Sequence, residues 1–122
     1  MLLEVSNLSK EYTRSNQPFY AVRDVGLKMK AGDFTIIIGR SGSGKSTLLN
    51  LIGGLISPTV GKISIDGCNI MSLKDRELSS FRNSNIGYIP QGHSILSNLS
   101  VFDNVRLPYY LQKRQGDVNK RA

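Results

Sequence analysis

GRSGSGKST occupies residues 39–47, directly after FTIII at residues 34–38 and directly before LLNLI at residues 48–52. Gly39, Gly44, Lys45 and Ser46 satisfy the spacing G-x-x-x-x-G-K-[ST]. The spacing has a geometric cause. A backbone that wraps round a polyphosphate with its N–H groups pointing inward needs glycine wherever a side chain would collide or φ is positive. Lys45 would then reach the β and γ phosphates, and Ser46 at the start of a helix would put a hydroxyl on Mg²⁺. Ser41, Gly42, Ser43 and Thr47 complete the cradle, and the helix N-terminus adds its own positive end. The plain alternative is a flexible loop in which glycine, serine and lysine meet by chance. The flanking strand and helix patterns weigh against it.

Those flanks also set the fold class. Residues 34–38 form a continuous apolar, β-branched run, the pattern of a strand buried on both faces, so a central parallel strand is expected there. Leu48, Leu49, Leu51 and Ile52 recur at helical spacing, and Gly53-Gly54 ends that helix. Strand, loop and helix in this order predict an α/β fold. Upstream, residues 2–8 and 21–29 read as strands of an antiparallel sheet with one wet face, joined by a polar loop over 13–18 that carries Asn16 and Pro18. Downstream, GKISI at 61–65 runs into an Asp66-Gly67 turn, with 68–70 as a return strand. Ser72 and Glu77, with Leu73, Leu78 and Phe81 at helical intervals, predict a helix over 74–82. Residues 86–89 form a short strand closed by Pro90, and Val101, Val105 and Leu107 are helical, with Pro108 limiting the length. Residues 117–122 suit the start of a further helix.

The chain has 122 residues and is 39% hydrophobic, enough for one modest domain. No stretch is long and apolar enough for a membrane span, and the first residues lack the pattern of a signal peptide, so a soluble cytoplasmic chain is expected. The lone Cys68 offers neither a disulfide nor a metal cluster. The net charge of +7 comes from scattered lysines and arginines, and the basic residues at 113–114 and 120–121 read as a solvated end. A nucleic-acid partner is therefore not indicated.

The loop alone is shared by GTPases, nucleotide kinases, helicases and transport ATPases. The longer stretch SGSGKSTLL at 41–49 resembles the Walker A segment of ABC transporter ATP-binding subunits, and its flanks agree in order along nearly the whole chain. VRDV at 22–25 and AGDF at 31–34 precede it. GGL at 53–55, PTVGKI at 58–63, Asp66-Gly67, IGYIPQ at 86–91 and LSVFDNV at 99–105 follow it. This resemblance implies a P-loop NTPase core of the ABC ATPase type with an N-terminal antiparallel β subdomain, spanning 1–122, that binds ATP and Mg. Tyr12 matches the A-loop aromatic whose ring stacks on adenine, with Phe19 and Tyr20 as competitors for that role. Gln91 matches the Q-loop glutamine, which touches Mg²⁺ or the attacking water while its loop meets a transmembrane permease subunit. His93, the single histidine, is not the family's switch histidine and carries no assigned chemistry. LKDRE at 73–77 with Leu107-Pro108 is most similar to the subfamily that exports lipoproteins, macrolides or antimicrobial peptides. The implied location is the inner face of the cell membrane, peripherally bound.

The family's signature LSGGQ, its acidic Walker B strand with the catalytic glutamate, its D-loop and its switch histidine do not occur in these 122 residues. The expectation is a truncated fragment that binds nucleotide without hydrolysing it alone. With few neighbours for residues 34–38, an uncovered apolar edge is expected to drive self-association to at least a dimer. The competing expectation is a self-associating interaction fragment with little or no nucleotide binding. Another P-loop enzyme, such as a nucleotide kinase, fits less well because of the match at 86–91.

Overall fold

A computed structural model describes residues 2–92 and 95–111, so His93 and residues 117–122 lie outside the described residues. Two compact units divide the chain, Met1–Leu78 and Ser79–Ala122.

The first unit is built on a four-stranded antiparallel sheet. Its strands are β1 (Leu3–Arg14), β2 (Gln17–Met29), β3 (Val60–Ile65) and β4 (Cys68–Asn69), in the order β2-β1-β3-β4. Two tight turns explain why these strands pair. Ser15 and Asn16 both take positive φ, 50° and 62°, and Asp66 and Gly67 do the same at 47° and 76°. Two successive positive-φ residues twist a two-residue turn in the sense that antiparallel strands require. The expected loop over 13–18 is thus replaced by a two-residue turn inside a longer hairpin. Pro18 is tolerated because β2 is the sheet edge, where a missing N–H breaks no ladder.

Alternation along β1 buries Leu3 and Val5, and beyond a register slip Leu8; Ile63 of β3, which pairs with Val5, Val22 of β2 and Ile70 just after β4 are buried as well. The first helix, α1 (Lys45–Ile52), contributes Leu51 to the same buried set. Leu8, Leu51, Ile63 and Ile70 have no accessible surface, and full burial of such a side chain stabilises by about 1.5–3 kcal/mol. The β1 ladder slips out of register near Leu8 against both neighbours. Asn7 takes φ 49° and Asp24 φ 47°, and the Asn7 side-chain amide donates to the Asp24 carboxylate at 3.1 Å. Gly61 passes so close that a Cβ there would stand 2.6 Å from the Asn7 carbonyl oxygen. Only glycine fits that crossing.

Three expectations are corrected. Residues 34–38 are not a strand: no ladder partner lies beside them among the described residues, and Phe34, Ile36 and Ile38 are 88%, 67% and 89% exposed. Residues 86–89 likewise form no strand, and Ile89 is exposed. A parallel strand exists only through hydrogen bonds to neighbours, and apolar sequence alone does not supply them. The helix expected over 74–82 is present as α2 (Asp75–Asn85), and the third correction concerns only its start signal. Ser72 does not start it, because its hydroxyl donates to the Asn69 carbonyl within a short 3-10 turn, Ile70–Ser72, that replaces the end of the expected return strand. The start is fixed instead by Glu77, whose carboxylate accepts from the Lys74 N–H at 2.9 Å, one half of a capping box.

In the second unit the principal element is α3 (Val101–Leu111). Ser100 caps it: its hydroxyl accepts from the Asp103 N–H at 3.1 Å and donates to the Asp103 carboxylate at 2.6 Å. Asn104 fastens the preceding turn by accepting from the Leu96 N–H and donating to the Leu96, Leu99 and Ser100 carbonyls. Pro108 lies inside α3 rather than ending it, and its carbonyl accepts from the Asn83 side chain at 3.0 Å. Among the described residues no helix is long and apolar enough to cross a membrane.

Candidate phosphate-binding site

The loop at 39–47 turns into α1 through Gly44, which is the N-cap with φ 88° and ψ 3°. No side chain caps this end, so the first N–H groups of the helix have no side-chain acceptor at the cap and remain available as donors to an anion. Gly42 also takes positive φ, 79°. The two glycines differ in what they require. A Cβ at Gly42 would meet open space, so only conformation selects glycine there. At Gly44 a Cβ would stand 2.0 Å from the Ala21 carbonyl oxygen, so the main chain of β2 forbids any side chain.

That contact arises from a bulge. Lys10 pairs with Val22 and Glu11 with Tyr20, which leaves Ala21 as the extra residue on β2. Sequence reasoning missed this residue, and no signal could have revealed it, because a bulge is a property of register and alanine has no side-chain chemistry to mark it.

Lys45 folds back over the loop. Its ammonium donates to the Gly39 carbonyl at 2.9 Å, the Arg40 carbonyl at 2.7 Å and the Ser43 hydroxyl at 3.3 Å. Ser43 is further held by its N–H to the Arg40 carbonyl at 3.2 Å. The lysine charge therefore sits within the curl of the loop, where an anionic ligand can exchange with neutral acceptors. Ser46 and Thr47 occupy the first turn of α1, with Ser46 exposed and Thr47 half-buried, and Ser41 is exposed on the loop. A cavity of about 290 Å³ abuts the loop, walled mainly by Val22, Val25, Ile37, Ile38 and Leu48. Its donors are Ser43, Lys45 and the main chain of the loop, together with Arg23 of β2.

Tyr12 lies on β1 opposite Phe19 of β2, with ring centroids 5.9 Å apart. Phe19 is two residues from the bulged Ala21. Strand geometry puts Tyr12 about 7 Å along β2 and about 5 Å across it from the contact with Gly44. Tyr12 as a whole is 37% exposed. Tyr20, a competitor for the same role, is more exposed and has the Arg23 guanidinium 5.3 Å from its ring centre. Gln91 is exposed and is followed by Gly92 at φ 99°; it belongs to the second unit. The loop thus gathers Gly39, Ser41, Gly42, Ser43, Gly44, Lys45, Ser46 and Thr47 in one place, with Tyr12 on the adjoining hairpin. Cys68 is a free, half-buried thiol, and no group of metal-ligating side chains occurs among the described residues.

The arrangement fits a Mg²⁺-bound nucleoside polyphosphate. Its signs are two glycine-only positions, an uncapped helix N-terminus, a lysine ammonium over loop carbonyls and a hydroxyl in the first helical turn. Such a site defines a P-loop nucleotide-binding protein. The sequence profile described as ABC transporter matches residues 22–122, and the chain belongs to that family.

Relatives and structures agree with this. The lipoprotein-releasing system ATP-binding protein LolD of Buchnera aphidicola is 39% identical over 98% of this chain and 52% of its own length. The uncharacterized ABC transporter ATP-binding protein MJ0796 of Methanocaldococcus jannaschii is 38% identical over 93% of this chain and 48% of its own. A dimeric, post-hydrolysis structure of the MJ0796 ATP-binding cassette bound to ADP and Pi superposes with a TM-score of 0.88 at 37% identity, covering 95% of this chain and 50% of that one. The fold is therefore that of the ABC ATPase cassette, represented here by its antiparallel sheet and an incomplete P-loop core. The chain spans about half the length of the curated relatives it matches.

Proposed function

We propose that this chain is the nucleotide-holding part of an ABC transporter ATP-binding subunit, with residues 1–122 forming the β subdomain, the Walker A loop and the Q-loop. Gly39, Ser41, Gly42, Ser43, Gly44, Lys45, Ser46 and Thr47 hold the phosphates of ATP, Tyr12 meets the adenine, and Ser46 serves Mg²⁺; Gln91, in the other unit, keeps the Q-loop role toward Mg²⁺ that the family resemblance alone implies. The observation that carries this reading is Gly44, left-handed at the uncapped start of α1 and closed against the Ala21 carbonyl. When bound, Mg²⁺ would neutralise charge on the phosphates and orient them. The chain's own residues supply binding and orientation: loop N–H groups and Lys45 for phosphate, Tyr12 for the base.

Of the acidic residues after Gly67, which are Asp75, Glu77, Asp103 and Asp117, none follows an apolar strand pattern in the sequence, and on this reading the chain binds nucleotide without turnover by itself. The implied partner is a transmembrane permease subunit, with the chain peripheral at the inner face of the membrane. The similarity to LolD proteins favours export of lipoproteins within the wider macrolide and antimicrobial-peptide group.

A titration of the intact chain with MgATP by calorimetry, with Lys45→Ala alongside, tests this reading. Saturable binding that the substitution abolishes is the expected result, and equal heats in both proteins would refute it. A specific observation also favours self-association: Phe34 and Ile38 are almost fully exposed, and the MJ0796 cassette is dimeric in its solved structure. Light scattering at micromolar concentration is expected to give a mass of at least a dimer, and a monodisperse monomer would remove that part. A chain that self-associates yet gives no MgATP heat would instead be an interaction fragment.

A further inference from the structure

Lys10 is the residue the sequence reading passed over. It lies two positions before Tyr12 on β1, on the same face of the strand. Its ammonium stands 5.1 Å from the centre of the Tyr12 ring and donates to the Ser57 carbonyl at 2.8 Å. The segment carrying Ser57 is itself tied to β1: the Thr59 N–H donates to the Ser9 carbonyl at 2.9 Å, and the Thr59 hydroxyl accepts from the Glu11 N–H at 3.0 Å. A long, mobile lysine is thereby fixed at its tip by a backbone acceptor. Phe19 bounds the ring from the neighbouring strand at 5.9 Å, tilted by 31°.

We propose that Lys10 is a positioning residue for base recognition: anchored on the Ser57 carbonyl, it braces the Tyr12 ring so that its exposed surface is presented ready to stack on a purine. The proposal rests on the reading of Tyr12 as the base-stacking residue. Lys10 touches the ring and not the phosphate loop, so its effect falls on the base and not on the phosphates. Bracing lowers the conformational entropy that an exposed aromatic would lose on stacking. A cation over an exposed ring is worth enough to change affinity by about two- to five-fold.

The test compares MgATP with inorganic tripolyphosphate plus Mg²⁺ as probes, measured by calorimetry on the intact chain and on Lys10→Met, Lys10→Arg and Tyr12→Ala. Lys10→Met keeps an unbranched side chain one atom shorter and removes the cation. The expected result is about two- to five-fold weaker MgATP binding in Lys10→Met, unchanged tripolyphosphate binding, and recovery in Lys10→Arg. An equal loss for both probes would overturn the proposal, because Lys10 would then be acting on the loop as a whole. So would normal MgATP binding in Lys10→Met while Tyr12→Ala binds weakly. If Tyr12→Ala itself binds MgATP normally, the stacking reading of Tyr12 fails and the role of Lys10 falls with it.

Discussion

Two apolar stretches of the first unit have opposite fates. Leu3, Val5 and Leu8 of β1 are buried between β2 and β3, whereas Phe34, Ile36 and Ile38, no less apolar, stand largely in solvent. The difference lies in how partners are delivered. β1 and β2 are joined by the two-residue turn at Ser15 and Asn16, while a parallel strand needs partners brought by long crossovers. Hydrophobicity proposes a strand, and only a neighbouring ladder makes one. The phosphate loop sits between these two regimes: it follows the unpartnered run, yet it is referred to the sheet through Gly44 and the Ala21 bulge.

Substitutions can break this contrast, beginning with the contact that ties loop to sheet. Gly44→Ala would put a methyl 2.0 Å from a main-chain oxygen at a position with φ 88°. MgATP affinity measured by calorimetry is expected to fall by roughly a hundredfold or more, the scale of about 3 kcal/mol. Next comes the core: Leu8→Ala should lower stability in urea unfolding by about 3 kcal/mol. Ile38→Ala, matched in chemistry but made in the exposed run, should change it by less than about 0.5 kcal/mol. Equal costs for the two would mean that residues 34–38 are packed after all. Ile38→Asp should lower the self-associated fraction seen by light scattering without lowering the unfolding midpoint.

The smallest expected effect is electrostatic. Lys28 lies 2.8 Å from Glu4 across the β1–β2 ladder, and its hydrogen bond, followed by its charge, holds the Glu4 carboxyl below its usual range. A carboxyl whose folded value is depressed adds stability above its unfolded value and loses it as pH falls through the folded value. Any difference between the protein and Lys28→Met in urea midpoint should therefore be present at neutral pH and vanish in acid. Because the pair is exposed, added salt should shrink it further.

Much of the site was legible beforehand because it depends on residue identity at fixed spacing. Glycine, lysine and serine in one motif predict a loop, and Asp66-Gly67 predicts a turn, since each residue's own conformational range carries the information. The helix at 45–52 was legible for the same reason, through its leucine spacing and the glycines that end it. What the sequence hid are relations between distant segments: the bulge at Ala21, the length of the β1–β2 hairpin, the bond from Lys10 to Ser57, and the missing ladder beside 34–38. The start of α2 was placed within one residue, but one half of its signal was misread. Ser72 has the chemistry of a cap, but its hydroxyl is engaged by Asn69, and Glu77 alone closes the first turn.

The central claim, that a self-sufficient sheet carries a phosphate loop beside an unpartnered run, is tested most directly by amide hydrogen exchange with and without MgATP. The account predicts slow exchange in β1 and β3 under both conditions, fast exchange over 34–38 in the absence of nucleotide, and protection of 41–47 that appears only with MgATP. Exchange over 34–38 as slow as in β1, or a loop indifferent to MgATP, would contradict it.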